Sequence, residues 1–171
     1  MKNSKLTTQI LTRTAMLLAL TLAFQALGLP TVITGPMVNF MLVLSVILVG
    51  TGGGVFIGTI TPWIALLVGI LPAPLAPAVP FIMAGNAILC LTVGVLSQST
   101  AMRVLGVILG SLLKFAVIGG AASYVLTLPA PMAQMLTFPQ LTNALLGGLL
   151  AVSMASAIQW AVSAGNHSAA K

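Results

Sequence analysis

One lysine, Lys114, stands inside an apolar stretch, GSLLKFAVIGG, with no opposite charge near it. The chain contains no aspartate or glutamate, so no side-chain carboxylate can pair with this amine. A charge inside a membrane costs at least about 2.5 kcal/mol on insertion scales unless something offsets it. The amine could be neutral and held by carbonyls and hydroxyls, lie in a water-filled cavity, or meet an anion from outside. A structural lysine and a ligand-binding lysine are equally supported.

The uncharged polar and aromatic residues inside apolar segments are the other candidates for substrate binding. Each taken alone is more typical of a hydrogen bond between helices or of an anchor at the membrane interface. Together they could form a polar pocket that opens outward, with Lys114 at its floor. The candidates are Gln25, Asn39, Trp63, Asn86, Tyr124 and Asn143.

The residues needed for common enzyme chemistry are missing. There is no acidic residue, one histidine and one cysteine, so general acid-base pairs, metal sites and activated nucleophiles are not expected. The sequence therefore predicts no catalytic residue, no metal and no cofactor. The net charge of +6 comes from basic residues scattered along the chain, which argues against binding to nucleic acid.

Composition places these residues in a membrane. The chain of 171 residues is 59% hydrophobic, and its apolar runs approach the roughly 20 residues that a helix needs to cross a bilayer. We expect one all-α domain, a six-helix transmembrane bundle, in contact with lipid. Its predicted spans are about 12–29, 37–50, 54–71, 80–97, 101–126 and 140–163. The second is short, and it could either extend through the flanking glycines or cross a locally thinned bilayer.

The basic residues predict the orientation of the bundle. Lysine and arginine in short loops are retained on the cytoplasmic side. With six spans, every basic residue except Lys114 falls on one side, which predicts that both termini are cytoplasmic. These residues are Lys2, Lys5, Arg13, Arg103 and Lys171.

Prolines concentrate in the connections assigned to the outer side. Because proline fixes φ and restrains the preceding residue, these connections are expected to be stiff and extended. Pro36 is assigned to such a connection, and Pro62 is the one proline expected to interrupt a helix. The prolines are equally consistent with simple helix punctuation and with a shaped rim over a cavity.

Small residues line one face of the first span, at Ala15, Ala19 and Ala23, within AMLLALTLAFQA. Such stripes let helices approach closely in lipid. With six spans in about 170 residues, this pattern resembles the substrate-binding S components of energy-coupling factor transporters. The segments GTITPWIALLVGILPAP and PFIMAGNAILC also resemble that group.

The resemblance implies a function in uptake. In that family the alanine motif packs on a membrane-embedded coupling subunit, the T component, which two ATPase subunits drive. It implies a small-molecule substrate, a vitamin or related micronutrient, bound in the outer half of a protein in a bacterial cell membrane. The family pocket uses the last three helices and outer loops, which Asn86, Lys114, Tyr124 and Asn143 fit better than Asn39 and Trp63 do.

Two functions of different classes follow. In the first, the chain captures a small molecule, anionic if Lys114 binds it, and separate subunits hydrolyse ATP, because no Gly-rich phosphate-binding motif is present. In the second, the chain is a structural or assembly subunit whose alanine stripe docks a permanent partner. The second predicts that no small molecule binds.

Overall fold

The computed structural model describes the backbone of residues 2–169 and the side chains of residues 8–157. Within that part the protein is all-helical, as predicted, with six long helices. Five helical segments there are long and apolar enough to cross a membrane, which indicates a multi-pass membrane protein. The helices are α1 (Lys2–Ala26), α2 (Thr31–Val49), α3 (Thr51–Leu67), α4 (Val79–Val95), α5 (Thr100–Tyr124), a short α6 (Ala130–Met135) and α7 (Phe138–Ala169).

The second helix extends past the glycine that precedes its predicted start, which is one of the two alternatives left open for this short span. This helix begins at Thr31 rather than near residue 37 and has 19 residues, whereas α3 has 17. Pro36 therefore lies inside α2 and not in a connection. It can be tolerated there because it removes one backbone hydrogen bond, the one to the carbonyl of Val32, a residue exposed near the start of the helix.

Two of the three connections predicted to lie on the outer side contain helices, contrary to the prediction of extended chain. The connection after α3 contains a 3-10 helix, Ala73–Ala78, and the connection after α5 contains α6. Pro74, Pro80 and Pro131 each occupy the second position of a helix. Proline is favoured in the first helical turn, where its fixed φ suits the helix and its missing N–H costs little.

Five long helices form a closed ring. In the order α2, α3, α4, α5 and α7, each helix packs against the next, and α7 returns to α2. The first helix lies outside this ring, against α2 and α3. Only 11% of its apolar segment is buried, compared with 39 to 44% of the other four apolar segments in the described chain.

Glycine allows the ring to close tightly between α2 and α7. A Cβ added at Gly147 would lie 2.7 Å from the backbone nitrogen of Phe40 and 2.9 Å from Cβ of Asn39. Backbone cannot yield as the end of a flexible side chain can, so a larger residue here would push the helices apart. This close approach brings Asn39 toward the middle of the ring, where the polar site lies.

Candidate binding site

A cavity of about 600 Å³ lies at one end of the bundle. Its walls come from the end of α1, the first half of α2, the end of α3 and the start of α7, with the connection after α3 at its edge. The lining is mostly apolar, and its polar side chains include Lys114 and the two asparagines that bind it. Small-molecule sites commonly have this size and composition, about 300 to 1,000 Å³ with a few placed polar groups.

Lys114 lies at the inner end of this cavity and is only 2% exposed. Its Nζ donates a hydrogen bond of 2.6 Å to Oδ1 of Asn39 and one of 2.7 Å to Oδ1 of Asn86. Its stem passes Gly85 of α4, where an added Cβ would lie 3.0 Å from Cγ of the lysine. The amine therefore joins three helices, α2, α4 and α5, through two neutral amide oxygens.

The chain holds both asparagine side chains in the orientation that presents oxygen to the lysine. Nδ2 of Asn39 donates to the carbonyl of Gly35 at 2.8 Å, and Nδ2 of Asn86 donates to the carbonyl of Gly58 at 2.8 Å. With each amide nitrogen committed to a backbone carbonyl, the remaining amide atom must be the acceptor.

A proline in α3 explains why the Gly58 carbonyl is available to Asn86. In an α-helix this carbonyl would accept from the N–H of residue 62, but residue 62 is proline and has none. Asn86 donates to the freed oxygen instead. The absence of a side chain at Gly58 also permits the approach, because an added Cβ would lie 3.0 Å from Cβ of Asn86.

These contacts can offset much of the cost of burying a charged lysine. A hydrogen bond to a charged group contributes about 1.5 to 3 kcal/mol, so two contribute about 3 to 6 kcal/mol. Insertion of a lysine at the centre of a membrane helix costs about 2.5 to 3.5 kcal/mol on biological scales. The lysine can therefore remain protonated without a carboxylate, and its positive charge then stays uncompensated by any acidic side chain of the chain.

The structure brings five of the seven candidate binding residues to the cavity: Gln25, Asn39, Asn86, Lys114 and Asn143. It places the other two elsewhere. Tyr124 is 91% exposed at the end of α5, and Trp63 is 45% exposed. Trp63 follows the buried Thr61 and Pro62 but is itself exposed, so neither aromatic residue lines the cavity.

Several polar cavity residues were not singled out from the sequence. Thr31, Thr34 and Thr61 line the cavity, as does Gln140 in the first turn of α7. The hydroxyl of Thr61 donates to the carbonyl of Ile57 at 2.6 Å, the usual local bond of threonine in a membrane helix. Gln140 could have been found, because it lies one turn before Asn143 and on the same helix face.

The arginines lie at the opposite end of the bundle. Next to Arg13, the side chain of Thr14 approaches Gly53 at the start of α3. Arg103 lies in the first turn of α5 and donates from Nε to the carbonyl of Ser97, in the turn after α4. Because consecutive helices alternate in direction, the starts of α3 and α5 share one end, away from the cavity. Lys2, Lys5 and Lys171, which support the predicted orientation, lie outside the described side chains.

The alanine stripe of α1 faces away from the ring. Ala15, Ala19 and Ala23 are all exposed. By contrast, the small residues Gly147 and Ala151 of α7 are buried within the ring. The α1 stripe is therefore not used for packing inside the described part of the chain.

The described residues contain no group of three histidine, cysteine or acidic side chains that could hold a metal ion. Cys90 is buried. The arrangement at Lys114 is suited to binding through hydrogen bonds and charge.

Comparison with known proteins adds no identification. No protein-family model, curated protein or solved structure matches the chain. The interpretation of the site therefore depends on its geometry and on the residues that form it.

Proposed function

We propose that this protein is the substrate-capture subunit of an ATP-driven uptake transporter in a bacterial cell membrane. The observation that carries the proposal is the cavity of about 600 Å³, which is lined by Lys114 and by the two asparagines that bind its amine. A purely structural subunit has no need of a cavity in which polar side chains converge. The substrate class is a small micronutrient such as a vitamin, in keeping with the size of the cavity and with the resemblance to S components.

The charge distribution supports an outward-facing cavity. Arg13 and Arg103 lie at the end opposite to the cavity, and basic residues near the ends of membrane spans are concentrated on the cytoplasmic side. The cavity would then open to the exterior, where an uptake protein meets its substrate.

The exposed alanine stripe supports a membrane partner. Small residues at Ala15, Ala19 and Ala23 would let a partner helix approach α1 closely, and nothing in the described chain covers them. The proposed partners are a coupling T component and two ATPase subunits. They would supply the ATP hydrolysis for which this chain lacks a phosphate-binding motif.

Native mass spectrometry of the protein purified from its own membranes tests this proposal. We expect the wild-type protein to carry a small molecule and to associate with a second membrane protein and two ATPases. Ala19→Trp should lose the protein partners and keep the small molecule, because Ala19 is exposed on α1 and does not line the cavity. Leu113→Trp, on the exposed face of α5, is the matched control and should keep both.

The alternative, a structural or assembly subunit, predicts a different spectrum. The protein would then associate with partners through α1 without any small molecule. That result would overturn the proposed uptake function.

A further inference from the structure

We infer that the ligand of this cavity carries an acidic group, which binds the remaining N–H of Lys114, and a hydrogen-bonding edge that meets the amides of Gln25, Gln140 and Asn143. This inference rests on the proposed function, since it names the substrate class of the same site. It follows from three separate features: the donors of the lysine, the charge of the cavity, and the amides that lack partners.

One N–H of the protonated Lys114 amine has no acceptor within the described residues. A protonated amine has three N–H donors and no acceptor. The structure engages two of them, with Asn39 and Asn86. Because Lys114 also lines the cavity, a ligand at this inner end can accept the third donor. Each asparagine oxygen already accepts from the lysine, and a protonated amine can only donate, so the ligand group at the lysine must be an acceptor.

The positive charge of Lys114 favours an anionic acceptor on the ligand over a neutral one. The chain has no acidic side chain at all, and Arg13 and Arg103 lie at the other end of the bundle. The cavity therefore has a net positive charge in surroundings of low dielectric constant, where charge interactions are strong. A carboxylate or another anionic group would supply the missing counter-charge, whereas a basic ligand would be repelled.

Three side-chain amides at the cavity lack hydrogen-bond partners within the described residues, and they indicate which groups the rest of the ligand carries. The side chain of Asn143 is 8% exposed, lies against Gly35, and makes no hydrogen bond within the described residues. Oε1 of Gln25 is buried without a donor. Gln140 also lines the cavity, and its side chain makes no hydrogen bond within the described residues.

Such amides favour a ligand that both donates and accepts. Each amide has an oxygen acceptor and two N–H donors. The buried acceptor of Gln25 calls for an N–H or O–H on the ligand, because a buried polar group without a partner is costly. Apolar side chains such as Val38, Leu75 and Ile82 also line the cavity. The ligand is therefore a small acid with an apolar middle and a neutral polar edge.

A variant that supplies the counter-charge from the protein tests this inference. Asn39→Asp places a carboxylate at the lysine, where it can form an ion pair and oppose an anionic ligand. Ser97→Asp adds the same charge in the exposed turn at the far end, beside Arg103, and is the matched control. Each protein is purified, the bound small molecule is extracted, and the extract is analysed by mass spectrometry. Melting temperature with and without the extract verifies that each variant is folded.

The same proteins are titrated with two defined pairs of probes, nicotinate with nicotinamide and pantothenate with panthenol. Each pair differs in a carboxylate that is replaced by a neutral group. We expect the extract of wild type and Ser97→Asp to contain an acid with an N–H or O–H donor. Asn39→Asp should bind this acid at least about 100-fold more weakly while remaining folded. A probe acid that raises the melting temperature of wild type should do so more than its neutral partner.

Two results would overturn the inference while leaving the proposed function intact. They are a bound molecule that lacks an acidic group, and a bound acid whose affinity is unchanged in Asn39→Asp. If wild type yields no small molecule and neither probe pair shifts its melting temperature, the uptake function itself fails, and the inference fails with it.

Discussion

The hydrogen bond between Lys114 and Asn86 should contribute a measurable coupling energy to the stability of the ligand-free protein. Asn86→Leu removes an acceptor from the lysine, which costs about 1.5 to 3 kcal/mol for a charged donor, and leaves the Gly58 carbonyl without a partner, which costs about 1 to 3 kcal/mol. The single variant should therefore lose about 2.5 to 6 kcal/mol. Once Lys114→Met has removed the amine, the same asparagine substitution should cost less, because only the carbonyl loses its partner.

A double-mutant cycle isolates this difference. The free energy of unfolding is measured in detergent by denaturant titration for wild type, the two single variants and the double variant, after removal of bound small molecules. We expect a coupling energy of about 1.5 to 3 kcal/mol, the value of one hydrogen bond to a charged group. The control cycle combines Lys114→Met with Asn143→Leu. Asn143 also lines the cavity but shares no hydrogen bond with the lysine, so its coupling should stay below about 0.5 kcal/mol.

The cycle can refute the account of the site. Additive effects of Asn86→Leu and Lys114→Met would mean that the lysine is not held by this amide. Equal coupling in the test and control cycles would mean that the substitutions act through general loosening of the cavity.

Two further predictions concern packing and orientation. Gly147→Ala should destabilise the protein by about 1 to 3 kcal/mol, because its Cβ would press on the backbone of α2. In the control, Gly120→Ala, the added Cβ meets open space and should stabilise its helix by about 0.5 to 1 kcal/mol. Equal shifts in melting temperature for the two variants would contradict the close packing of α2 and α7. Orientation is tested with single cysteines in a Cys90→Ser background and a maleimide that cannot cross the membrane. The reagent should label Thr127→Cys in intact cells, and Ser97→Cys only after the membrane is opened. The reverse pattern would contradict the predicted cytoplasmic termini.

The helices could be predicted well from composition because a membrane imposes a simple length and hydropathy requirement. Their ends were harder to predict, and prolines account for much of the error. Pro36 was taken as the end of a connection, although a helix can lose one backbone hydrogen bond near its start. Pro74 and Pro131 were taken as signs of extended chain, although both begin short helices.

The polar members of the site could be predicted in part. Gln25, Asn86 and Asn143 came together because polar residues in apolar helices tend to face other helices. The aromatic candidates did not. The buried face of α3 carries Thr61 and Pro62, and Trp63 falls one residue beyond it, about 100° further around the helix.

The partners of the lysine could not be predicted from its own helix. The sequence indicated only a missing counter-charge. The structure instead supplies two amide oxygens from α2 and α4 and brings the stem against Gly85. Such contacts depend on which helices are neighbours in the ring, which hydropathy does not specify.

A single proline connects the fold to the charge of the site. Because Pro62 has no N–H, the carbonyl of Gly58 accepts from Asn86, and Asn86 must then present its oxygen to Lys114. Amide oxygens can hold a protonated amine without neutralising it, whereas an aspartate at the same position would cancel its charge. This choice of neutral partners keeps the lysine both stable inside the bundle and available to an anion. The features that favour a structural lysine are therefore the same ones that prepare it to bind a ligand.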